Sequence, residues 1–132
     1  MSKPKTRSQH LAKPLTAVEL EMMNVIWRIG PCSVTQVQQE LASTRELAYT
    51  SISTMVRILQ QKGYVNSKKA GRGHLYSAAV DKEAYQASSL RHLVDDVFEG
   101  TPALLVRRLL DSESLTAEEL AEIHVLLRGK GR

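Results

Sequence analysis

Apolar residues recur at helical spacing over three stretches in the first half of the chain, then give way to short runs that alternate. In "TAVELEMMNVIWRIG", Val18, Met22, Val25, Ile26 and Ile29 fall on one side of a helix, widened by Leu20, Met23 and Trp27. Thr16 and Glu19 open that helix as a capping box, each side chain serving the other's backbone N–H, and Gly30-Pro31 closes it. Ser33 and Gln36 cap a second, shorter helix, "VTQVQQELAS", with Val34, Val37 and Leu41 inward. A polar "STRE" turn leads to a third helix, about residues 48–62, whose inward stripe is Ile52, Met55, Val56 and Leu59. Gly63 ends it, since glycine takes the left-handed conformation a helix end commonly needs. "YVNSKK" and "HLYSAA" then read as the strands of a hairpin, about 64–78, joined through "AGRG". Glycines at 71 and 73 permit positive φ there, and Arg72 sits at the tip.

From Asp81 the helical period returns. "DKEAYQASSLRHLVDDVFEG" sets Leu90, Leu93, Val94, Val97 and Phe98 on one side, and "PALLVRRLLD" carries Leu104, Leu105, Leu109 and Leu110. Thr116 and Glu119 form a third capping box, opening a helix through Leu120, Ile123 and Leu127. The first 14 residues hold two prolines, three lysines and one arginine with no apolar period, and read as a disordered basic arm. The fold class expected is mainly α with a small β-hairpin.

The third helix is amphipathic in an unusual way. Thr50, Thr54, Arg57 and Gln61 lie opposite its apolar stripe, with Ser51 and Ser53 on the flanks. A merely solvated face would carry Glu and Lys, which are better helix formers than Ser or Thr. Here no carboxylate occurs between Glu46 and Asp81. Short hydroxyls let a helix approach a surface closely and bond to phosphates or base edges, and arginine reaches guanine or phosphate. Lys62, Lys68, Lys69 and Arg72 follow, in a hairpin able to lie along a DNA backbone. A groove-reading helix with a basic β-wing is a winged helix-turn-helix. The candidate DNA-binding residues are Thr50, Ser51, Ser53, Thr54, Arg57, Lys62, Lys68, Lys69 and Arg72. The domains expected are 1–14, the arm; 15–80, the winged-helix DNA-binding domain; and 81–132, a helical dimerisation domain.

Charge sharpens that division. Residues 1–80 hold 11 Lys/Arg and 4 Asp/Glu, a net of +7, whereas residues 81–132 hold 7 and 10, a net of −3. A basic module suited to a polyanion is followed by one suited to another task. The second half offers its leucines either to the core of the same chain or to a seam with a second copy. The seam residues expected are Leu90, Val94, Val97, Phe98, Leu105, Leu109, Leu120, Ile123 and Leu127.

Other chemistry is poorly supported. Cys32 is the single cysteine, so no internal disulfide or cysteine-only metal cage can form, and it reads as a packing residue. His10, His74, His92 and His124 are scattered without metal-site spacing, although His74 beside Arg72 is placed to meet phosphate. The carboxylate pairs 95–96 and 118–119 are adjacent in sequence and project differently from a helix, poor geometry for a paired acid and base. Neither an enzyme nor a cofactor is expected. No apolar run approaches the roughly 20 residues of a membrane span, and the start lacks a signal peptide's apolar stretch, so a cytoplasmic protein without membrane insertion is expected.

"LTAVELEMMNVIW", "AYTSISTMVRILQQKGYV" and "GRGHLYSA" resemble the penicillinase-repressor (methicillin-resistance-repressor) family of bacterial winged-helix regulators, over roughly residues 15–128. The resemblance implies a homodimer that represses transcription at a pseudo-palindromic, double-stranded DNA operator, with the C-terminal helices supplying the dimer contact. It also implies a regulatory protease that cuts within those helices on a membrane sensor's signal. The family's asparagine–phenylalanine bond, aligned through "VFEG" and "LLV", falls at Arg108-Leu109, so a long cation replaces a small amide at the cut. The copper-responsive branch is similar in its DNA-binding half, but its C-terminal Cys-x-Cys is replaced here by "LLRGKGR". Two other readings stand beside this one. A winged-helix module binding protein would show exposed apolar residues on the third helix, and a ligand-sensing regulator of the multidrug-resistance type would need a pocket between its halves.

Overall fold

A computed structural model describes residues 15–130; the expected basic arm, 1–14, lies outside the described residues. The element order is α1 (Ala17–Ile29), α2 (Val34–Leu41), α3 (Tyr49–Gln61), β1 (Val65–Ala70), β2 (Gly73–Ala78), α4 (Lys82–Val97), α5 (Pro102–Asp111) and α6 (Ala117–Lys130). The mainly α architecture with a hairpin wing agrees with the sequence reading. The chain divides into two compact units, the first ending at Leu90 and the second beginning at Arg91.

The first unit is a three-helix cluster backed by the hairpin. Both capping boxes are formed: Glu19 Oε1 accepts from Thr16 N–H at 2.9 Å, and Gln36 Oε1 accepts from Ser33 N–H at 2.8 Å. The inward residues Met22, Met23, Val25 and Ile26 of α1, Val37 and Leu41 of α2, and Ile52, Val56 and Leu59 of α3 are all buried. Each such side chain contributes about 1.5–3 kcal/mol of transfer free energy. Ile29, expected inward, is exposed, because it is the last residue of α1 and Gly30 (φ 78) turns the chain away directly after it.

α3 stops as expected at Gly63 (φ 89), where two hydrogen bonds reach back into the helix. Gly63 N–H donates to Gln60 O and Tyr64 N–H to Leu59 O, satisfying carbonyls the helix end would leave bare. The hairpin is tighter than its sequence suggested. Ala70 pairs with Gly73, so the connection is two residues, Gly71-Arg72. Positive φ falls on Gly71 (φ 60), the first central position, while Gly73 is strand, contrary to expectation. Beyond the hairpin, Cys32 exchanges backbone bonds with Tyr76, at 3.0 and 2.7 Å, which anchors β2 to the loop before α2. Cys32 is wholly buried, and burial pushes its thiol pKa up, in keeping with a packing role.

The first unit reaches past the expected boundary at residue 80. Val80 and Tyr85 belong to its core. Trp27 Nε1 donates to Val80 O at 2.8 Å, the Tyr85 hydroxyl accepts from the buried Leu15 N–H at 3.0 Å, and the Tyr85 ring meets those of Trp27 and Tyr64 at about 6 Å. Aromatic pairs at such separations add to the burial of their own area. The opening of α4 is therefore part of the winged-helix unit.

The second unit contains the end of α4, then α5 and α6. The third capping box is formed, with Glu119 Oε1 accepting from Thr116 N–H at 2.9 Å. Glu99 (φ 56) and Gly100 (φ 73) make the turn after α4. Among the described residues of this unit only Val94 is buried. No helix among the described residues is long and apolar enough to cross a membrane.

Candidate nucleic-acid interface

The site is built on α3 and the hairpin. Two links outside the core hold the turn that precedes α3. Arg45 donates to both carboxylate oxygens of Glu21 on α1, at 2.9 and 3.0 Å, and Gln38 Nε2 donates to Leu47 O at 3.0 Å. The Arg45 guanidinium holds the Glu21 carboxyl below the usual range. With its entry fixed and its apolar stripe buried, α3 presents its other side to solvent.

That side divides into parts the sequence left merged. Ser53 and Arg57, with Tyr49 one turn earlier, form one wall of a concavity of about 500 Å³. Arg72, Gly73, His74 and Tyr76 of the hairpin form the opposite wall, and Ser33, Val34 and Thr35 at the start of α2 close one end. Thr50 and Thr54 are exposed along the crest of the helix, and Ser51 lies exposed on its far flank. Tyr49 is 52% exposed and was absent from the candidate set. Its place four residues before Ser53 and eight before Arg57, the spacing of one helical face, was the signal available.

The hairpin register separates two lysines that the sequence grouped. Lys69 lies opposite His74, two residues along from the Ser67–Tyr76 pair, whereas Lys68 lies opposite Leu75. Strand side chains alternate between faces, so Lys69 shares the face of His74 and Tyr76 that lines the concavity. Lys68 is on the other face. The His74 and Tyr76 rings lie 6.3 Å apart.

Ion pairing concentrates positive charge at this site. Of the four carboxylates in the first 80 residues, Glu19, Glu21 and Glu40 pair with Lys62, Arg45 and Arg28 at 2.7–2.9 Å. Arg57, Lys68, Lys69 and Arg72 have no ion-pair partner among the described residues. Among residues 15–80, the cations without an ion-pair partner thus gather on α3 and the hairpin. Lys62, expected to join them, is engaged with Glu19. Among the described residues no three His, Cys, Asp or Glu side chains gather to hold a metal. Of the large apolar residues on α3, only Tyr49 and Ile58 are exposed, so the helix face is not the apolar one that protein docking would need.

The expected seam residues divide as well. Val94 is buried within the chain, and Phe98, Leu105 and Ile123 are half-buried. Leu90, Val97, Leu109, Leu120 and Leu127 are 39–61% exposed. The Arg108-Leu109 bond lies inside α5, with Arg108 3.7 Å from Asp111.

The penicillinase repressor family matches residues 15–129. The penicillinase repressor of Bacillus licheniformis is 29% identical over 113 residues, 86% of this chain and 88% of that one. The methicillin resistance regulatory protein MecI of Mammaliicoccus sciuri is 24% identical over 116 residues, 88% of this chain and 94% of that one. A cysteine-to-serine variant of MarR from E. coli, solved with operator DNA, has a TM-score of 0.51 at 17% identity, covering 95% of this chain and 85% of that one, a likeness of fold. This chain belongs to the penicillinase repressor family of winged-helix, DNA-binding regulators.

Proposed function

We propose that this protein is a cytoplasmic transcriptional repressor that binds a pseudo-palindromic operator as a homodimer, laying α3 in the major groove and the hairpin along the backbone. The observation that carries this reading is the concavity between α3 and the hairpin. It is lined by hydroxyls and arginines, and none of its lining residues is a carboxylate. Thr50, Ser53, Thr54 and Arg57 read base edges, with Ser51 at the margin, and Lys69 and Arg72 bind phosphates. Lys68, on the other hairpin face, contributes to the general field.

Dimerisation is supported by the state of the second unit. A unit of about 40 residues with a single buried apolar side chain lacks the core to stand alone, and its exposed leucines are suited to a second copy. Pairing two winged helices would set two recognition helices on successive half-sites. Cutting the chain in α5 would divide the partner contact and lower operator occupancy without touching α3. The test is to find which fragments of the host genome the purified protein retains at stated salt. Retention of a few fragments above random sequence supports the reading; equal retention of all sequences overturns it.

A further inference from the structure

Glu19 is the sole buried polar or charged residue among the described residues, and the interface described above makes no use of it. The three capping boxes differ in the residue that reaches back. In α2 the residue reaching back is an amide, Gln36, and in α6 it is an exposed carboxylate, Glu119; both cap their helices at 2.8–2.9 Å. Glu19 Oε1 does the same for α1 at 2.9 Å, so an amide would suffice there. Its second oxygen, Oε2, accepts from Lys62 Nζ at 2.8 Å. A buried carboxylate is costly where a neutral amide caps equally well. The charge at position 19 therefore belongs to the contact with Lys62.

Lys62 is the C-cap of α3, and the chain enters β1 three residues later. Both walls of the concavity leave from this junction. We propose that Lys62 is a positioning residue for DNA recognition and not a phosphate contact: held by Glu19, it ties the junction to α1 and sets the recognition helix against the wing. This rests on the DNA-binding reading above. It also means that Glu19 withholds one cation from the polyanion, trading non-specific affinity for a fixed angle between helix and hairpin.

The test compares the full chain with its Lys62→Met, Lys62→Arg and Glu19→Gln variants. Affinity is measured against salt on a genomic fragment the protein selects and on a random duplex of equal length. Lys62→Met is expected to keep the wild-type salt slope on both duplexes while the ratio of specific to random affinity falls several-fold. Lys62→Arg, which keeps the pair, retains the ratio. Glu19→Gln frees the cation, so binding to random duplex strengthens and its slope steepens by about 0.9 per phosphate gained. A Lys62→Met slope flattened by that amount with the ratio unchanged would make Lys62 a phosphate contact and overturn the proposal, as would loss of the ratio in Lys62→Arg. A wild-type chain that retains no duplex at any salt overturns the functional reading instead.

Discussion

Glu19 Oε2 and Lys62 Nζ meet at 2.8 Å across 43 residues of sequence, joining the first turn of α1 to the last of α3. Burial alone would raise the Glu19 pKa. The hydrogen bond from Lys62, the bond from the Thr16 backbone and the Lys62 charge outweigh it, leaving the carboxyl below its ordinary value. A depressed carboxyl contributes stability that is present above its unfolded pKa and lost as pH falls through the folded one.

The first expectation is acid sensitivity traceable to this pair. Urea denaturation of the wild type should lose stability progressively below about pH 4.3, the ordinary glutamate value. Glu19→Gln keeps the cap and should cost about 1–2 kcal/mol at neutral pH, since a charge-assisted bond to a half-exposed lysine is removed. The deficit should shrink toward pH 3. A deficit independent of pH would mean that packing, and not the ionised pair, is what the substitution disturbs.

Helix and hairpin should separate in their effects on DNA. Thr54→Ala should reduce discrimination between selected and random duplex by a base contact, about 1–3 kcal/mol. Lys69→Ala should weaken both duplexes together and flatten the salt dependence by about 0.9 per phosphate contact. Lys68→Ala, on the opposite face of the hairpin, should change the slope less. Equal effects of Lys68 and Lys69 would show that the hairpin face is irrelevant to contact.

The Tyr85 hydroxyl and ring make a structural prediction at the end of the first unit. Tyr85→Phe removes the acceptor of the buried Leu15 N–H, at a cost of about 1–3 kcal/mol, visible as a lower urea midpoint. A chain ending at Leu90 should fold as a monomer with much weaker operator binding, because the linkage between half-sites is gone. A chain ending at Val80 should melt lower, having lost Tyr85. An equally stable dimer from the Leu90 truncation, seen by sedimentation, would place the seam elsewhere.

Release by proteolysis is expected to differ from the form the resemblance implies. A protease pocket shaped for asparagine should not readily accept Arg108, which also lies within a helix that must open before cleavage. On adding a β-lactam to the host, immunoblots should show no rapid fragment ending at Arg108 and no loss of operator occupancy. Appearance of that fragment with loss of occupancy would reverse this expectation.

Local features of this protein were legible in the sequence because their causes lie within a few residues. The capping boxes at Thr16, Ser33 and Thr116, the stop at Gly63 and the stripe Ile52–Val56–Leu59 each depend on a spacing of three to five positions. The polar character of α3 was equally visible, since helical periodicity alone sets which residues oppose the stripe. Tertiary structure decided which flank of that face meets the hairpin, bringing in Tyr49 and leaving Ser51 outside. It decided that Lys69 shares the hairpin face of His74 and Tyr76 and Lys68 does not, because strand register is set by pairing across the hairpin and by the burial of Val65. It also paired Lys62 with Glu19 and gave Tyr85 to the winged-helix core. Those assignments join positions 43 to 70 residues apart, whose meeting depends on how helices pack and not on any local period.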